Sequence, residues 1–301
     1  MAGMLLPVLS YSQNADTAVR SKLVTTAPLL GGINITNMVA PVKAGEITFV
    51  IQAPSVDIAI PVYKKFRFKH PTFIRVGMRY QGMLLSGEKL IYPNNFHSFT
   101  LPVSATYAIS RATNISLIGL VSVGSDFKKT IDGNDIMYTA GVRFGFSQNK
   151  SFKYGVTLSY TSNYAGSYLL PLPDFDWTIN KKLSFTAILP ARASLKYKIS
   201  NTQSIGATIG IIGAMYKLNT GVAQQYLHLH QNTAGLIYDL KVNDRLKLNA
   251  IADHTLMQRL ETFDVNQKIS LNGFGKLSDR KANISYQQNS FILQAGVSYQ
   301  F

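Results

Sequence analysis

The sequence contains no cysteine, which excludes disulfides and thiolate metal sites. Only 15% of its 301 residues are charged, against about 25% in a typical soluble domain. Acid is scarcer than base: 15 Asp and Glu stand against 30 Lys and Arg, a net charge of +15. Tryptophan occurs once. No apolar run reaches the ~18 residues of a membrane helix. If this chain crosses a membrane, it must do so as a closed barrel, because backbone polar groups in hydrocarbon have to be paired internally.

An excess of base raises nucleic acid as a partner. Here the Lys and Arg are scattered, with one dense cluster, KKFRFKH at 64–70. No recognition-helix, zinc or aromatic RNA-binding pattern accompanies them, so no nucleic acid is expected. The cluster reads either as a grip on anionic headgroups or as a solvated turn.

What is abundant is Tyr and Phe, 16 of each, and alternation. In 72–84, Ile74, Val76, Met78, Tyr80 and Leu84 share one face, while Arg75, Gly77, Arg79 and Gln81 share the other. The same two-residue period runs through 98–110, 138–147, 152–161 and 183–199, as half-exposed strands require. These runs exceed the ~5–6 residues of an ordinary strand. They suit a membrane strand of ~9–11 tilted residues. Their polar face is Gly, Ser and Thr rather than charge, and Phe99, Tyr107, Phe152 and Tyr160 sit near strand ends, where interfacial girdles form. The pattern predicts an all-β, transmembrane antiparallel barrel.

Short turns near 64–70, 110–114, 147–151, 199–203 and 242–246 alternate with longer segments near 86–96, 126–136, 162–181, 218–226 and 261–288. With 45–53 and 55–63 as further strands, the total is about twelve, an even number. SFTLPVSATYAISRATNISLIGLVSVG (98–124) and SFTAILPARASLKYKISNTQSIGATIGIIG (184–213) repeat one hairpin theme, each with a Gly/Ile-rich returning strand. Pro102 and Pro190 fall on their polar faces and are expected to mark bulges or bends. In LPLPDFDW (170–177), assigned to an outer loop, Trp177 reads either as part of a docking loop or as a girdle residue.

Residues 1–12 resemble a signal peptide without its basic start, with Ser10 and Ser12 at −3 and −1 of a cut before Gln13. Residues 13–44 are then expected to be a periplasmic segment and 45–301 the barrel. The end, SFILQAGVSYQF (290–301), alternates apart from Ile292. Its final Phe301, with Tyr299 two before it, resembles the C-terminal signal that outer-membrane barrels present to their assembly machinery. Together with SYSQ at 10–13, the Leu-Pro strands and PLPDFDWTINKKLSF (171–185), it makes the chain resemble a family of Bacteroidota outer-membrane barrels of unknown function. The resemblance implies a place in the outer membrane of a Gram-negative cell, in contact with its lipids. It implies no catalytic residue and no cofactor.

Parity places Arg75, Arg79, Arg143, Lys153, Arg192, Lys196 and Lys247 on the inner face, with Arg259 as a further candidate. Glu46, Asp57 and Asp253 join them, with Asp239 and Asp126 as further acidic candidates. One reading is a narrow basic lumen that favours anions. The other is a salt-bridge network that plugs a narrow barrel. His228 and His230 share a face but lack a third metal ligand. His97 and Ser98 are adjacent, so they point to opposite faces, and no nucleophile elbow is present. A pore, transport or scaffold barrel without chemistry of its own is therefore expected. The alternatives are a lipid hydrolase or a partner-binding subunit that uses loops 162–181 and 261–288.

Overall fold

The structure is a computed structural model and describes residues 27–28, 31–44, 47–65, 70–87, 91, 93–219, 224–272 and 281–301. Its strands are β1 (Gly32–Ala44), β2 (Ile47–Lys65), β3 (Thr72–Ser86), β4 (Asn95–Ala108), β5 (Thr113–Ser125), β6 (Ile136–Ser147), β7 (Phe152–Asn163) and β8 (Gly166–Thr178). They continue as β9 (Leu183–Ile188), β10 (Arg192–Lys198), β11 (Gln203–Leu218), β12 (Gln225–Lys241), β13 (Leu246–Asp264), β14 (Ile269–Asn272), β15 (Ile284–Gln287) and β16 (Phe291–Gln300). β1 to β13 pair in chain order, and β16 joins β13 to β1, closing an antiparallel barrel of 14 strands. Gly32 meets Gln300 and Val39 meets Leu293 along the seam.

The count differs from twelve for four identifiable reasons, three that add a strand and one that removes one. β1 occupies part of the segment expected to precede the barrel. The stretches 45–53 and 55–63 are one strand, β2, within which Pro54 pairs with Asn37. β8 fills most of the expected outer loop 162–181. The alternation through 183–199 hides a hairpin, because Pro190 lies in the turn between β9 and β10. Pro102 lies within β4, where the ladder to β3 skips two positions. The signal-peptide region and Glu46 lie outside the described residues.

Most turns at one end share a device. Ser110, Asn149, Asn180, Ser200 and Asn243 each accept hydrogen bonds from the backbone N–H groups two and three residues on. Short polar side chains that satisfy their own turn fix tight connections. This turn end also carries both ends of the seam, where Phe301 donates to the Gly31 carbonyl at 3.1 Å. The opposite, loop end carries the longer connections.

The barrel is polar inside and apolar outside. Leu101, Leu117, Val121, Val156, Leu158, Ile209 and Leu236 are all exposed on the outer face. From Phe99 to Tyr107, both exposed, eight residues span about 26 Å of strand. At a tilt near 40° that is roughly 20 Å along the axis, close to the ~25 Å belt of such barrels. Trp177 and Phe152 meet edge to face at 6.1 Å in the turn-end girdle, so the single tryptophan belongs to a strand and not to an outer loop.

The wall is not even in height. β9 and β10 have only six and seven residues, whereas β11 has 16. Above the β9–β10 turn, no described strand pairs with both β8 and β11. β14 pairs in parallel with the top of β8, at Gly166–Leu169. β11 instead reaches across to β5, where Lys217 pairs with Ser125 and the Asp126 N–H donates to the Lys217 carbonyl at 3.1 Å. Gly124 permits this approach, since a Cβ there would lie 2.5 Å from the Met215 carbonyl oxygen. Tyr164 donates to the Gly124 and Asp135 carbonyls, both at 3.0 Å. Lys217 and Asp135 form an ion pair.

Candidate functional site in the lumen

The β4–β8 side of the lumen is packed with polar side chains. Arg143 and Asp174, each 1% exposed, form a two-pronged ion pair of 2.8 and 2.7 Å. A third guanidinium nitrogen donates to Asn114 at 3.2 Å. Gly145 and Gly155, paired across β6 and β7, make room for it. A Cβ on either would approach the Arg143 nitrogens to 2.2 or 2.7 Å. Lys153, Asp176, Thr157 and Arg75 are buried on the same side. Thr106 and Ser116 bond across β4 and β5 at 2.9 Å.

The opposite side, walled by β1–β3, β10–β13 and β16, holds a cavity of about 470 Å³. Arg79 contacts Asp57 at 2.9 and 3.2 Å, and Lys196 pairs with Asp239. Ser298 donates to Asn34 at 2.5 Å across the seam. Arg192 also lines the cavity, with Asp253 and Asp239 as its nearest acidic neighbours. Asp253 is bonded through Thr233, but its Oδ1 is buried with no hydrogen-bond partner. Arg79, Arg192 and Lys196 thus face Asp57, Asp239 and Asp253, and this stretch carries no excess of base.

The base collects at the turn-end mouth. A second cavity of about 430 Å³ is lined there by Lys182, Lys196, Lys198, Lys241 and Lys247, with Asp239 as the acidic residue. Lys196, Asp239, Asn249 and Ser298 line both cavities, so the two share a polar wall that contains the Lys196–Asp239 ion pair.

The loop end is closed by apolar side chains that point inward. Met38, Phe49, Ile51, Met83, Phe96, Tyr216, Leu229, Leu260, Tyr286 and Ile292 form one buried cluster. Phe96 and Tyr216 lie 5.5 Å apart, and Phe49 and Tyr286 5.2 Å. Ile292 breaks the alternation of the last strand because its inward neighbours are this plug, not water.

Other residues lie elsewhere. Arg259 faces out, because a bulge opposite Asn232 and Thr233 shifts the register of β13 beyond Thr255. Asp126 belongs to the loop-end crossing, where it accepts from Asn219 at 2.6 and 2.9 Å. His97 contacts the Tyr80 hydroxyl at 2.9 Å on the outer face, and His254 packs on Phe291 at 4.9 Å. His230 contacts Asn232 at 3.1 Å. Among the described residues, no three His, Asp or Glu side chains converge as a metal site. Asp174, Asn114 and the plug were not singled out from sequence. Asp174 was hidden in a presumed loop, and the plug in an inner face presumed polar.

One family model, described as a domain of unknown function (DUF6268), matches residues 56–300. The chain belongs to this family. The DUF6268 match runs from mid-β2 to the final strand, nearly the whole ring. No curated protein matches the chain. Among solved structures, the NanC porin aligns with 6% identity, 89% of this chain, 100% of that one and a TM-score of 0.39. The translocator domain of the autotransporter NalP from Neisseria meningitidis gives 11%, 98%, 97% and 0.37. A deletion mutant of the TodX monoaromatic hydrocarbon channel gives 6%, 90%, 89% and 0.39. The strand number and register of the DUF6268 chain rest on its own pairings.

Proposed function

We propose that this DUF6268 protein is an outer-membrane barrel of the transport type, with no chemistry of its own. Its turn end faces the periplasm and its long loops face outward. The setting follows from the apolar belt between aromatic girdles. A Bacteroidota outer membrane is what the sequence resemblance implies. Tyr299 and Phe301, both on the outer face of the closing strand, are the segment that assembly machinery would read.

The observation that carries the transport reading is the stacking of a lysine-lined mouth on a polar central cavity, the two sharing Lys196, Asp239, Asn249 and Ser298. Five lysines against one aspartate favour anions at that mouth, as rings of fixed charge do in pores. The central cavity ends at the apolar plug, so the resting barrel is a gated conduit. The test is current across planar bilayers. Wild type should conduct little. Phe96→Ser with Leu229→Ser should open an anion-selective current, and Lys198→Glu with Lys247→Glu should lower that selectivity. An opened barrel that prefers cations, or passes no current, would overturn the reading.

A further inference from the structure

The outer face carries a polar side chain where the ring closes. On β1, Thr36 and Met38 line the central cavity, and Asn37 between them points outward and is exposed. It pairs with Ala295 across the seam. From Phe291, packed on His254 at the loop end, to Tyr299 near the turn end is the same eight-residue span as from Phe99 to Tyr107. Ala295 is its midpoint, so the Asn37 amide sits in the middle of the lipid belt.

Among the described residues, none hydrogen-bonds that amide. A lipid at this depth offers only hydrocarbon, and an amide without a partner there is costly. The partner therefore has to come from another protein surface. The wall beside Asn37 allows close approach. A groove of about 480 Å³ runs from Val39 and Leu293 over Ala295 and Ala252 to Leu236. On β4, β5 and β7 the exposed Leu101, Leu117, Val121 and Leu158 leave the belt bulky instead.

We infer that this face pairs with the same face of a second copy, forming a side-by-side dimer with Asn37 on its two-fold axis. A primary amide both donates and accepts, so two Asn37 amides related by a two-fold can exchange a pair of N–H···O bonds. Copies inserted in the same direction share an axis along the membrane normal. β1 then meets β1, and the groove on the β16 side of each copy faces β2 of the other, where Ile60 is exposed. Close backbone approach and paired polar side chains are what join membrane segments where lipid is as apolar as the protein. The dimer goes beyond transport and shares with it only the membrane setting.

The test is energy transfer between labelled full chains in phosphatidylcholine vesicles as lipid is added. Wild type should show transfer that falls on dilution. Asn37→Leu should raise the protein-to-lipid ratio at half-dissociation about tenfold, the effect of losing a hydrogen-bonded pair in a membrane. Ala295→Trp, which fills the groove, should weaken the dimer as well, and Leu158→Trp on the far wall should not. All three positions are exposed, so each variant should keep its heat-modifiable gel migration. The chain has no cysteine. Ile35→Cys, which keeps Asn37, should cross-link two copies through a short thiol reagent, and Leu158→Cys should not. Monomers at every lipid ratio, unchanged transfer in Asn37→Leu, or cross-links at Leu158 instead of Ile35 would overturn the dimer. If such monomers still pass anions once the plug is opened, the dimer falls and the transport reading stands. A dimer whose opened barrels carry no current gives the reverse.

Discussion

Removing Asp174 should be the most damaging single change in the lumen. Asp174→Ala removes the carboxylate from the Arg143 guanidinium, which is 1% exposed and bonded to Asn114 at 3.2 Å. Breaking a buried pair from one side costs about 3–5 kcal/mol, because the remaining charge is stranded. At a urea slope of about 2 kcal/mol/M, the unfolding midpoint should fall by roughly 1.5–2.5 M. Trp177 lies three residues along the same strand and reports locally through its fluorescence. Heat-modifiable gel migration reports the whole barrel. Arg143→Met together with Asp174→Leu should recover most of the loss, since apolar replacement of both partners is often neutral. The shortfall from additivity is the coupling of the pair. A midpoint that moves less than about 0.3 M in Asp174→Ala, or a double variant that loses the sum of both singles, would refute the reasoning.

Leu158→Arg, in the middle of the lipid belt, should cost about 2–4 kcal/mol in vesicle refolding, whereas Ser162→Arg, on the same face of β7 beyond the Tyr160 girdle, should cost far less. Gly145→Val should lower the same urea midpoint as Asp174→Ala and add little to it, because the atoms nearest its Cβ belong to Arg143 and Asn114, the same guanidinium network. Tyr164→Phe should speed amide exchange at Ser125 and Lys217 by removing two hydrogen bonds that support the β5–β11 crossing. Burial, with Asp135 and Asp132 nearby, also raises the Tyr164 phenol above its ordinary 10.0. Its contribution to stability is fully present below that value and is lost as pH rises through the folded one, so alkaline melts of wild type and Tyr164→Phe should converge. Asp244 is held below its ordinary value by its hydrogen bond from Lys241, and Lys241→Gln should return it upward in a carboxyl NMR titration.

The barrel was legible wherever one face was uniformly apolar, as in β4, β6 and β7. It was illegible where polarity served something other than the lipid boundary. β1 points Asn37, Pro41 and Lys43 outward and exposed, which masks its period. β8 carries Pro171 and Pro173, and proline in sequence reads as a loop. Pro190 had the reverse effect: the two-residue period ran through the turn, and one strand was read where two exist. The inner charges were readable by parity. Their partners were not, because Arg143 meets Asp174 only after β8 is folded beside β7. The bulge in β13 moved Arg259 off the lumen, and no local signal in the sequence marks it.

The central claim is that lipid meets one face of these strands and the lumen the other. The chain has no cysteine, so single cysteines can be placed along β7 and spin-labelled in vesicles without a background. Collision with dissolved oxygen should peak at positions 154, 156, 158 and 160 and drop at 153, 157 and 159, a strict two-residue period. A flat profile along β7, or water-soluble relaxation agent reaching 156 and 158, would contradict the account.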